Sequence, residues 1–146
     1  MNQFGSAVEN IGDLDGDGVN DLAVGAHFDD IDENDDVSGA NNRGTLHILF
    51  MNTNGAVKST VEINDSTTNG PVLNNGDWFG GQVTNIGDLD GDGVNDLAVA
   101  AWGDDKCADG EDTCDIRGAV HIMYMNTDGS VKSTVEINDS TANGPT

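Results

Sequence analysis

The sequence predicts an all-β fold of two four-stranded antiparallel units in tandem, and three observations predict it. Internal repetition covers nearly the whole chain: Phe4–Ala26 matches Phe79–Ala101 at 19 of 23 positions, and Arg43–Pro71 matches Arg117–Pro145 at 22 of 29. Self-similarity at a fixed period marks a repeat architecture. Each repeat holds four short runs with strand patterning, and amphipathic helical periodicity is missing. The 20 Gly against 2 Pro suit a chain that turns often between strands.

In the first repeat, strand one is expected over Ser6–Ile11 and strand two over Asp21–Ala26, where Asp-Leu-Ala-Val ends in small residues. Such a short apolar run suits a strand buried on both faces. Strand three, Gly44–Met51, is apolar on both faces, and Asn52-Thr53-Asn54-Gly55 is a hairpin signal matched by Asn126-Thr127-Asp128-Gly129. Strand four, Ala56–Ile63, alternates Val57, Ser59, Val61 and Ile63 with Lys58, Thr60 and Glu62, giving one wetter face. The polar stretch Asn64–Asp77 reads as a linker. The offset between repeats is 75 residues in the first block and 74 in the second, so the slip falls in the acidic loop between them.

The connection between strands one and two carries the chemistry. Asn10–Val24 returns letter for letter as Asn85–Val99. Its centre places carboxylates at positions 1, 3, 5 and 9 of a nine-residue loop. Two unit charges about 4 Å apart interact by roughly 4 kcal/mol at an effective dielectric of about 20. A hard cation converts that repulsion into coordination, and Ca²⁺ accepts six to eight oxygens, backbone carbonyls included. Gly16 and Gly18 supply the freedom to curl the loop. An EF-hand loop begins the same way but requires a bidentate acid at position 12 and flanking helices; position 12 here is Val24 or Val99.

A four-stranded meander repeated in tandem is the unit of a β-propeller. Phe4-Gly5 and Phe79-Gly80, the Asp-x-Asp-Gly-Asp-Gly-x-x-Asp loop and the small-residue stop together resemble FG-GAP repeats, as in integrin α-subunit propellers. The resemblance covers both repeats and implies Ca²⁺ held by Asp13, Asp15, Asp17 and Asp21 with the Val19 carbonyl. In the second loop it implies Asp88, Asp90, Asp92 and Asp96 with the Val94 carbonyl. One departure is plain: the family's Gly-Ala-Pro becomes Gly25-Ala26-His27 and Ala100-Ala101-Trp102. The first blade with its linker is assigned to residues 1–78, and the second with its C-terminal linker to 79–146.

Propellers have four to eight blades, and this chain has two. An isolated pair would expose apolar blade faces, and a head-to-tail contact closes into a ring when the rotation permits. Self-assembly is therefore expected, as a trimer or tetramer closing six or eight blades. An excised piece of a longer array is the competing account.

Composition narrows the function classes. Five Lys plus Arg against 27 Asp plus Glu give a formal net charge of −22. Such a surface repels nucleic acid and anionic membrane. It suggests a salty or calcium-rich setting, and the resemblance implies an extracellular or cell-surface location. No 18-residue apolar run is present, and Met-Asn-Gln-Phe-Gly lacks signal-peptide character, so for a secreted parent protein the targeting segment is expected outside this chain. Cys107 and Cys114 are expected to form a local disulfide stabilising by roughly 2–3 kcal/mol, with a pair of free thiols as the alternative.

The acidic loops Phe28–Asn42 and Gly103–Ile116 each carry six acids without regular ligand spacing and read as solvated. His47 and His121, at matching places in strand three, read as framework residues rather than metal ligands or bases, and His27 is given no role. Trp78, Phe79 and Trp102 read as interblade packing rather than a sugar-stacking platform. The sequons at Asn64 and Asn138 matter only in a eukaryotic secretory context. No catalytic constellation or phosphate-cradling loop occurs, so the chain is read as a non-enzyme. The expected function is a Ca²⁺-stabilised propeller module for structural, adhesive or protein-interaction roles, with a carbohydrate-binding propeller as the alternative.

Overall fold

A computed structural model describes residues 3–29, 41–104 and 116–145. The Cys107–Cys114 pair and most of both acidic loops lie outside these residues. The described residues form eight strands and no helix: β1 (Ala7–Gly12), β2 (Asp21–Ala26), β3 (Thr45–Met51), β4 (Val57–Ile63), β5 (Phe79–Gly87), β6 (Asp96–Ala101), β7 (Ala119–Met125) and β8 (Val131–Ile137). They make two antiparallel four-stranded sheets with strand orders β1-β2-β3-β4 and β5-β6-β7-β8.

The expected strands stand within a residue of their predicted ends in the first repeat. β5 is longer than its counterpart β1, because Phe79 pairs with Ala101 across a register shift that ends at Gln82. The hairpin turns close with Gly55 N donating to Asn52 O and Gly129 N to Asn126 O, both with Gly at positive φ.

The two sheets share one core. Ile11, Ala23, Leu46, Ile48, Phe50 and Ile63 from the first join Phe79, Val83, Leu97, Val99, Met123 and Met125 from the second. Alternation in the strands explains this. In β3, Leu46, Ile48 and Phe50 are buried while His47, Leu49 and Met51 are half-buried; in β7 the pattern inverts, with His121, Met123 and Met125 buried. Because the period is two, these are opposite faces of the repeat. One face of the first blade therefore packs on the other face of the second, a head-to-tail stack.

Backbone contact pins the stack. Phe79 N donates to Arg43 O at 2.8 Å and Trp78 N to Asn42 O at 3.2 Å. Asn85 Nδ2 reaches Asn10 O at 3.2 Å, and Asn95 Nδ2 reaches Ile11 O at 3.0 Å. A Cβ on Gly25 would lie 1.9 Å from Gly80 O, so glycine is what lets β2 approach β5.

Candidate metal centres

Each acidic loop is built by its own backbone. In the first, Asp13 Oδ1 accepts from Asp17 N at 2.9 Å and Oδ2 from Gly18 N at 2.8 Å. In the second, Asp88 Oδ1 accepts from Gly91 N and Asp92 N, and Oδ2 from Gly93 N. Gly16, Gly18, Gly91 and Gly93 all sit at φ between 78° and 90°, the left-handed turns this curl requires. Val19 N and Val94 N donate to Asp17 Oδ1 and Asp92 Oδ1, each at 2.9 Å.

The ninth-position acids do something further. Asp21 and Asp96 are fully buried. Asp21 Oδ2 accepts from Leu14 N at 2.9 Å and Oδ1 from Met51 N at 3.0 Å; Asp96 repeats this with Leu89 N at 2.8 Å and Met125 N at 3.1 Å. Each carboxylate straps its loop to the third strand of its sheet through charge-assisted bonds that offset its desolvation. The spacing alone pointed only to metal ligation for these two residues.

The acids converge. Oxygens of Asp13, Asp15 and Asp17 lie within 4.8 Å of one another, as do those of Asp88, Asp90 and Asp96. Asp21 stands outside the first of these trios and Asp92 outside the second. Lys58, on β4, places Nζ 2.5 Å from both Asp15 Oδ2 and Asp17 Oδ2. Lys132, on β8, sits 2.7 Å from Asp90 Oδ2 and also pairs with Asp92. Hydrogen bonds from these lysines, seconded by the valine amides, hold the Asp17 and Asp92 carboxyls below the usual carboxylate range. Conversely, the paired aspartates push both ammonium groups up. A side-chain cation thus occupies the rim of each carboxylate cluster. The donor set of hard oxygens, without nitrogen or sulfur, fits Ca²⁺. The only signal of the lysines in the sequence is that Val-Lys-Ser-Thr-Val-Glu-Ile recurs intact in both repeats.

The aromatics divide. Phe79 is fully buried and Trp102 is 51% exposed. Trp78 meets Phe28 edge-on at 5.9 Å, and His27 links Phe28 to Trp102. His47 lies edge-on to Phe4 and His121 edge-on to Phe79.

The FG-GAP repeat family model matches residues 4–49, which hold the Phe-Gly pair, the first acidic loop and most of β3. The chain belongs to the FG-GAP repeat family. This FG-GAP chain is 34% identical over 101 residues to integrin alpha-PS3 of Drosophila melanogaster, covering 69% of the chain and 8% of that relative. It is 38% identical over 111 residues to integrin alpha-5 of Xenopus laevis, covering 70% of the chain and 9% of the relative. It is 28% identical over 134 residues to human integrin alpha-IIb, covering 91% and 12%. The chain spans about a tenth of the length of these relatives. FG-GAP repeats are of the propeller type, and the two sheets have the form of two blades.

Proposed function

We propose that this chain is a Ca²⁺-stabilised pair of propeller blades serving adhesion or protein interaction, without catalysis of its own. The observation that carries the reading is the duplicated convergence of loop carboxylates around a lysine ammonium. Asp13, Asp15, Asp17, Asp21 and the Val19 carbonyl would hold one ion. Asp88, Asp90, Asp92, Asp96 and the Val94 carbonyl would hold the other. The ion would supply charge that the lysines offset only in part, and its binding free energy would add to stability. The relatives' names support a cell-surface or extracellular setting and an adhesive role. Melting in Ca²⁺ and in excess chelator tests the reading: a lower midpoint without Ca²⁺ supports it, and an unchanged one opposes it.

The unpaired blade faces favour self-assembly. Val8 is 59% exposed where its counterpart Val83 is 2%, and Phe4 is 58% exposed where Phe79 is 0%. On the other face of the stack, Val120 is 37% exposed where Leu46 is 0%. The two open faces are therefore the two halves of the internal junction, and a second copy would join them head to tail. Ala100 stands where Gly25 gives its close approach, so a junction between copies would sit further apart at that point. Three or four chains would close six or eight blades, with the division at 78/79 marking one blade from the next. Light scattering tests this: a trimer or tetramer supports a ring, and a monomer refutes it. A glycan-binding reading draws on half-exposed Trp102; array binding lost in Trp102→Ala would favour it.

A further inference from the structure

Beside the calcium loops, a second kind of donor cluster stands in the second blade. His121 on β7 lies directly across from Glu136 on β8, and the turn after β6 brings Asp104 to the same place. One ring nitrogen of His121, one oxygen of Asp104 and one of Glu136 lie within 4.8 Å of one another. His121 is 1% exposed, yet neither of its ring nitrogens has a hydrogen-bond partner. Buried polar atoms are nearly always paired, and one left without a partner calls for an explanation. A neutral imidazole carries one N–H and one lone pair. With two carboxylates close by, the imidazole lone pair and the carboxylate oxygens make a three-donor set of the kind a metal ion takes. Asn138 Nδ2 donates to Glu136 Oε1 and so orients the exposed carboxylate at the rim.

We propose that Asp104, His121 and Glu136 form a second-blade site for a divalent transition metal of the Zn²⁺ class. Imidazole selects such metals over Ca²⁺ and Mg²⁺, which take oxygen ligands. Water completes the coordination on the open side of Glu136. The first blade carries the same residues as Asp29, His47 and Glu62, arranged differently. There Nε2 faces Asp29 and Nδ1 faces Glu62, each at 3.7 Å. The two carboxylates address opposite nitrogens, so one ion cannot take all three. The site belongs to the second blade alone.

The test is a titration of the chain with Co²⁺, read by visible d–d absorption, in enough Ca²⁺ to saturate the acidic loops. One Co²⁺ per chain, displaced by Zn²⁺ and lost in His121→Gln, is the expected result. Glu136→Gln, on the exposed rim, guards against a folding defect. It should weaken Co²⁺ by more than the roughly ten- to hundredfold that loss of an outer-shell partner costs. His47→Gln should leave Co²⁺ binding unchanged. Absence of Co²⁺ uptake, or uptake that survives both His121→Gln and Glu136→Gln, overturns the proposal. Neither outcome bears on the calcium loops, which are tested by chelation and melting.

Discussion

Replacing Gly25 with Ala probes the contact that holds the two blades together. Gly25 does not need glycine for its own backbone, since it is not at positive φ. The cost is therefore steric: an added Cβ would stand 1.9 Å from Gly80 O and 2.9 Å from Gly80 C. A carbon–oxygen contact settles at about 3.3 Å, so β2 and β5 must part by roughly 1.4 Å. No rotamer relieves this, because the obstacle is main chain. Overpacking of a close-packed interior costs about 1–3 kcal/mol, occasionally more. Here the parting also strains the bonds that cross the junction, from Trp78 N to Asn42 O and from Phe79 N to Arg43 O, so about 3 kcal/mol is expected. At about 2–4 °C per kcal/mol for a chain near this size, the midpoint should fall by roughly 6–12 °C. Urea denaturation and thermal melting in Ca²⁺ measure it. Gly55→Ala is the reference, since its Cβ would meet nothing within 4 Å and only its φ of 80° resists. A loss in Gly25→Ala no larger than in Gly55→Ala would refute the close junction.

Three further outcomes follow from the loops. Lys58→Met and Lys132→Met remove the tethered cations and should tighten Ca²⁺ binding by roughly two- to tenfold per loop, the scale of exposed ion pairs; calorimetry reads the change, and weaker binding would contradict it. Asp21→Asn leaves one of two buried amides facing an N–H group. In chelator, where no ion contributes, it should destabilise by about 1.5–3 kcal/mol, read by urea unfolding, and no change would deny the strap to β3. In chelator, the lowered Asp17 and Asp92 carboxyls favour the folded state above their ordinary value of 3.8. That stability is lost as pH falls through their depressed folded values. Asp17→Asn/Asp92→Asn should flatten the acid limb of a melting-midpoint profile; an unaltered limb would show that other carboxyls set it.

The parts of this fold that depend on local pattern were legible in the sequence. β2 runs Asp21–Ala26 as expected, and β3 and β4 differ from expectation only at their first residue. Alternation and turn chemistry act within one repeat, and duplication states them twice. What pattern could not give was the relation between blades. The inversion of burial between β3 and β7 depends on which face meets the neighbour, and both faces are apolar in either repeat. The acidic loops were legible as a ligand series, but not the second task of Asp21 and Asp96. That task needs Met51 and Met125 brought about 30 positions back along the chain. The pairing of Lys58 and Lys132 is hidden from local pattern for the same reason, since they lie about 40 residues from the acids they pair with. The pattern of β7 marks His121 as framework, which its burial fits, while its unpaired nitrogens and its approach to Asp104 and Glu136 depend on tertiary placement.

A calorimetric titration of Ca²⁺ into chelator-stripped protein tests the central claim most directly. Two ions per chain are predicted, falling to one in either Asp15→Ala or Asp90→Ala and to none in the double variant. Heat of binding that is absent, or that persists unchanged in the double variant, would contradict it.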